Sequence, residues 1–134
     1  YSLKNIYHRP FVFVFGDMNE LGLETKAAHE YIAHKALKYA DIVFCTGSLT
    51  RQFVMPFFSN TGIKTMWYEN AQKLGQGLKH ENPEKALVLV KGSQNGIYLE
   101  EAVKAILANK SDEEKLCRQS QYWNDKKSFF FRHG

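Results

Sequence analysis

Short apolar runs and helical patterns alternate along this chain. Phe11-Val12-Phe13-Val14-Phe15 is aromatic and β-branched with no polar break, the composition of a strand buried on both faces. It stops at Gly16-Asp17-Met18-Asn19-Glu20-Leu21-Gly22, a glycine, an acid and a polar loop. Glu24 to Tyr39 predicts a helix with Ala28, Tyr31, Ile32 and Tyr39 on one face. Asp41 to Thr46 predicts a second strand ending at Gly47. Ser48 is placed to cap a helix from Leu49 to about Phe58, which Pro56 disturbs. Asn60-Thr61-Gly62 reads as a turn, and Lys64 to Tyr68 as a weaker strand. Asn70 is a cap for a helix to about Lys79, although Gly75 and Gly77 weaken it. Ala86 to Val90 predicts a further strand, followed by Lys91-Gly92-Ser93-Gln94-Asn95-Gly96. Tyr98 to Ala108 predicts an amphipathic helix with Leu99, Val103, Ile106 and Leu107 inward. Ser111 to Lys127 predicts a last helix, with Ser111 and Glu114 as a capping box.

This β-α-β-α-β-α-β-α order implies an α/β fold with parallel pairing and right-handed crossovers. In open α/β sheets, ligands bind beyond the carboxyl ends of the strands. The segments after the first and last strands are therefore the places to look for chemistry. Asp17 and Glu20 either meet a cation, amine or hydroxyl of a ligand, or serve the N–H groups of their own loop and the following helix. Lys91-Gly92-Ser93 either forms an anion-binding nest with a positive charge beside it, or is an ordinary glycine turn. His29, one turn into the first helix, is either a hydrogen-bonded packing residue on the flank of the apolar face or a catalytic group. His34 reads as solvated. His8, His80 and His133 lie in loops or ends, and no histidine has metal-ligand spacing with another.

Several chemistries are absent from the sequence. There is no G-x-x-x-x-G-K-[ST] phosphate loop, no G-x-S-x-G nucleophile elbow and no G-x-G-x-x-G dinucleotide fingerprint. A receiver-type phosphorylation domain would need an acceptor aspartate after the third strand, where Tyr68-Glu69-Asn70 stands.

Composition narrows the picture little further. A length of 134 residues suits one domain, and 44% hydrophobic with 24% charged residues excludes global disorder. The net charge of +4 is dispersed, apart from Lys126, Lys127 and Arg132, so nucleic acid is not demanded. Cys45 and Cys117 have no redox or metal spacing. Cys45 reads as a small buried hydrophobe, and the pair fits a reducing, cytoplasmic setting. No apolar run approaches the roughly 20 residues of a membrane span. Tyr1-Ser2-Leu3-Lys4 is no signal peptide and opens in mid-pattern without Met, so the expectation is a piece of something longer. Phe129-Phe130-Phe131 either packs back onto the domain or meets a partner.

Taken in order, these features resemble the C-terminal domain of the Mur ligase family, and most of all the branch that adds D-alanyl-D-alanine to UDP-N-acetylmuramoyl-tripeptide. Gly16 to Gly22 is similar to that branch's GDM-x-ELG segment. His29 falls where the family has a histidine, and Lys91-Gly92-Ser93 is similar to its KGS turn. The likeness covers roughly Pro10 to Leu107.

The resemblance implies a Rossmann-like three-layer domain over residues 1–110; residues 111–134, which it does not explain, are expected to form a helical tail packed on that domain. It implies an ATP-dependent ligase of peptidoglycan precursor synthesis that works through an acyl phosphate. ATP and Mg²⁺ would be held mainly by a central domain preceding this one. Lys91, Gly92 and Ser93 would line the site of the incoming dipeptide near its carboxylate. Asp17 and Glu20 would orient its amine or support the nucleotide, while Gly16, His29 and Gln94 would support the loops. Gln94 stands where many relatives carry arginine, and the family's D-x-Y-N-x-N-P segment is absent. The partners implied are the two substrates and the upstream domains, with no nucleic acid and no membrane, and the domain alone is expected not to catalyse. The competing expectations are a folylpolyglutamate- or cyanophycin-type ligase and a stand-alone α/β binding or scaffold module.

Overall fold

The computed structural model describes residues 9–81, 83–93 and 96–134. Strand β1 (Phe11–Gly16) runs through the middle of a four-stranded sheet. On one side lies β2 (Ile42–Thr46), then β3 (Lys64–Tyr68); on the other lies β4 (Leu87–Lys91). All pairings are parallel, with Gly16 level with Thr46, Thr46 with Tyr68 and Phe15 with Lys91. The carboxyl ends of the strands therefore open onto one edge.

Helices cover both faces, which is why β1 carries no polar residue. Phe11, Phe13, Phe15, Val43 and Cys45 pack under α1 (Thr25–Leu37) and α2 (Met55–Phe58). Val12, Val14 and Phe44 pack under α3 (Ala71–Glu81) and α4 (Glu100–Lys104). Period-two alternation sends successive β1 side chains to opposite cores. Each fully buried Phe or Val contributes about 1.5–3 kcal/mol. The Rossmann-like α/β layering expected from the sequence is the observed one.

Several element boundaries differ. In α1 the buried residues are His29, Ala33 and Ala36, with Tyr31 exposed, so the predicted face is rotated. The strand supplies bulky phenylalanines, and the helix fits against them with small alanines. After β2 the helical turns widen to π geometry over Thr50–Val54, with the Met55 N–H donating to the Thr50 carbonyl, before α2 resumes. Pro56 has no N–H to offer the preceding turn, which accounts for the irregularity. Asn70 caps α3 through its Oδ1, which accepts from the Lys73 N–H at 2.9 Å. Gly75 lets α3 approach α4, since a Cβ there would lie 3.0 Å from the Ala102 Cα.

The predicted helix over Tyr98 to Ala108 shortens to α4, and the helix over Ser111 to Lys127 is replaced by two pieces. A 3₁₀ turn spans Lys110–Lys115, with Asn109 Oδ1 accepting from the Ser111 N–H at 3.1 Å. Asn109 thus takes the capping role assigned to Ser111. The chain then extends and restarts as α5 (Gln121–His133).

Buried charges join this last segment to α4. Arg118 grips Glu100 with two hydrogen bonds of 2.9 and 2.7 Å. Lys127 Nζ donates to Glu101 at 2.6 Å and lies 3.7 Å from Glu100. Phe131 packs against the α3–α4 core, while Phe129 is exposed. No described helix is long and apolar enough to cross a membrane.

Candidate functional site

The chain steps from β1 to β2 to β3 in one direction and then returns to the other side of β1 for β4. The loops after β1 and β4 therefore leave the sheet at the point where strand order reverses, where ligands of such sheets bind. Gly92 and Gly16 let the two backbones meet, since a Cβ on Gly92 would lie 3.1 Å from the Gly16 Cα and 2.7 Å from Leu99. The Ser93 N–H donates to the Asp17 carbonyl at 2.8 Å, and the Asn19 N–H donates to Ser93 Oγ at 2.6 Å. The two loops form one hydrogen-bonded lip.

His29 holds this lip from beneath. It is fully buried, with its ring stacked 5.7 Å from that of Phe15. Its Nδ1 lies 2.7 Å from the Thr25 carbonyl and its Nε2 accepts from the Met18 N–H at 3.1 Å. A carbonyl can only accept and an amide N–H can only donate, so the ring is neutral with its proton on Nδ1. The residue lies on the buried face of α1, not on its flank.

Asp17 is buried as well. Its Oδ1 accepts from the Thr50 N–H at 2.7 Å and its Oδ2 from the Leu49 N–H at 3.0 Å. It therefore serves the first turn of the helix after β2, whereas the structural alternative left open by the sequence had it serve its own loop and α1. A carboxylate is favoured at that positive helix end. Thr50 Oγ1 closes the same turn onto the Thr46 and Gly47 carbonyls at 2.8 and 2.9 Å. Trp67 Nε1 donates to the Gly47 carbonyl at 2.8 Å, with the Arg51 guanidinium 4.7 Å from the indole ring. Behind the site, burial and then the Asp17 charge push the Cys45 thiol up to about 12.

A crevice of about 260 Å³ opens along this edge. Asp17, Asn19, Ser48, Glu69 and Asn70 line its polar side, and Ile97 and Phe130 its apolar side. Each Asp17 oxygen accepts one backbone N–H and keeps a second acceptor site for a ligand N–H or O–H. Gly92 and Ser93 instead line a neighbouring hollow of about 220 Å³ with Leu99, Cys117 and Arg118. Lys91 ends β4 exposed and bonds no described side chain. Glu20 is exposed in a left-handed conformation, with φ at 66°. Both stand on the rim and line neither hollow. Gln94 lies outside the described residues.

The structure thus joins Gly16, Asp17, His29, Gly92 and Ser93 and leaves Lys91 and Glu20 outward. Sequence reading did not single out Ser48 and Asn70 as site residues, although each follows a strand as Asp17 does. Phe130 carried no such signal. Among the described residues, no group of three or more His, Cys, Asp or Glu side chains is placed to hold a metal ion.

Residues 1–94 match the family model described as Mur ligase, glutamate ligase domain. No curated protein and no solved structure matches the chain.

Proposed function

Because this chain belongs to the Mur ligase family through its glutamate ligase domain, we propose that it is the C-terminal domain of the ATP-dependent ligase that joins D-alanyl-D-alanine to UDP-N-acetylmuramoyl-tripeptide. The observation that carries this reading is the lip itself. The GDM-x-ELG-like segment, the KGS-like turn and His29 are bonded to one another at the switch point of the sheet.

The reaction transfers the γ-phosphoryl group of ATP to the tripeptide carboxylate. The dipeptide amine then attacks the acyl carbon, loses a proton and expels phosphate, leaving an amide. The residues of this chain bind and orient the amine substrate. Asp17 offers its two remaining acceptor sites to the amine, and the crevice beside it takes the body of the dipeptide. The Lys91 ammonium, on the rim beyond Ser93, meets the dipeptide carboxylate. Ser93 Oγ accepts from Asn19 and keeps its own proton to donate. His29 positions the Met18 amide and touches no substrate. Among the described residues no three His, Cys, Asp or Glu side chains converge, and the reading assigns the ion and most of the nucleotide to a central domain. Closure of the crevice against that domain keeps water from the acyl phosphate.

The test is phosphate release by the full-length protein with ATP and UDP-N-acetylmuramoyl-tripeptide, with D-alanyl-D-alanine, L-glutamate or L-aspartate as amine. Release with the dipeptide alone is expected. Release with glutamate or aspartate in its place would overturn the dipeptide assignment.

A further inference from the structure

The family match ends at residue 94, yet the crevice is completed by Ile97 and Phe130 from beyond it. Phe130 sits on α5, and four observations fix its place. Its ring lies edge-on to that of Tyr98 at 5.3 Å. The next residue, Phe131, is half-buried and packs against the α3–α4 core. One turn earlier, the Lys127 side chain is only 5% exposed and paired with Glu100 and Glu101. Arg118 ties the segment before α5 to Glu100.

Phe130 also lines a second, larger recess of about 630 Å³, formed with Tyr98, Tyr122, Phe129 and His133. Phe130 is thus shared by the linings of a small crevice that is half polar and a wide, largely aromatic recess.

We infer that Phe130 is a specificity-determining residue of the amine-substrate site, the partition that limits the incoming substrate to small aliphatic side chains. This rests on the ligase reading. The apolar ring faces the side chain of the amine substrate, while Asp17 meets its amine. Removing the ring joins the crevice to the recess, so a small side chain loses its contact and a bulky one gains room. A hydrophobic pocket discriminates by about 10- to 200-fold per methylene-sized change, so the effect falls in a measurable range.

The experiment compares D-alanyl-D-alanine with D-alanyl-D-phenylalanine in the full-length protein carrying Phe130→Ala, Phe130→Leu or Phe129→Ala. Phe130→Ala should raise KM for D-alanyl-D-alanine about tenfold and lower the kcat/KM preference over the bulky dipeptide by a larger factor, with KM for ATP unchanged. Phe130→Leu keeps apolar volume and should fall between Phe130→Ala and the parent. Phe129→Ala, which alters only the recess, should keep the parent preference. An unchanged preference in Phe130→Ala, or an equal change in Phe129→Ala, would overturn the inference while leaving the ligase reading intact. No phosphate release by the unsubstituted protein with any amine would overturn the ligase reading and the inference with it.

Discussion

The Asp17 carboxylate fills the space that a Cβ on Gly47 would occupy. Gly47 has φ at 105°, where any other residue is strained. Gly47→Ala should therefore cost on the order of 2–3 kcal/mol, from strain and from displacing Asp17. Asp17→Ala should cost about 2–4 kcal/mol, because two backbone N–H groups lose their acceptor. Urea unfolding of the two single variants and the double variant measures both. The double variant should lose less than the sum, and strict additivity would show that the two residues are not coupled.

His29 should be observed as the neutral tautomer protonated on Nδ1. Long-range proton–nitrogen NMR spectra at neutral pH distinguish the two ring nitrogens directly. His29→Leu should keep the ring's volume approximately but leave the Met18 amide without its acceptor. Its hydrogen exchange should then accelerate. A proton on Nε2, or unchanged Met18 exchange in the variant, would show that the ring does not hold the lip.

Most of the sheet and the composite character of the lip were legible in the sequence. β1 was visible because a strand buried on both faces needs an unbroken apolar run, and Gly16-Asp17 marked its carboxyl end. The partner of Asp17 was not legible. Its acceptors face N–H groups more than thirty residues away, brought near only by the pairing of β1 with β2. The tail was misread for a similar reason. Local pattern favoured a helix from Ser111, but the buried pairing of Arg118 and Lys127 with Glu100 and Glu101 depends on tertiary packing. Phe130 entered the crevice by the same route.

Acid should loosen the attachment of the tail. Burial raises the Glu101 carboxyl, but hydrogen bonds from Lys127 and Lys104, with their charges, outweigh this and hold it below the ordinary 4.5. Glu100 and Arg118 complete the charged surroundings. A carboxylate depressed in the folded state stabilises fully above its unfolded value, and that contribution disappears as pH falls through the folded one. The difference in urea midpoint between the parent and Glu101→Gln should be constant above about pH 5.5 and shrink below pH 4.5. A difference that persists to pH 2 would contradict this.

The two thiols should separate cleanly under alkylation. Cys45 is buried and its thiol is pushed up to about 12, so it presents almost no thiolate at pH 8. Cys117 is exposed. Iodoacetamide should label Cys117 alone in the folded protein and both residues in urea, as read by mass spectrometry. Labelling of Cys45 without denaturant would contradict the packing of β2.

The most direct test of the ligase account is the kinetic response of the full-length protein to Lys91→Ala. Losing a charge-assisted contact to the dipeptide carboxylate should raise KM for D-alanyl-D-alanine by about tenfold or more, roughly 1.4 kcal/mol, with KM for ATP within about twofold of the parent. An equal rise for both substrates, or none for the dipeptide, would contradict the assignment of the joined β1 and β4 loops to the amine substrate.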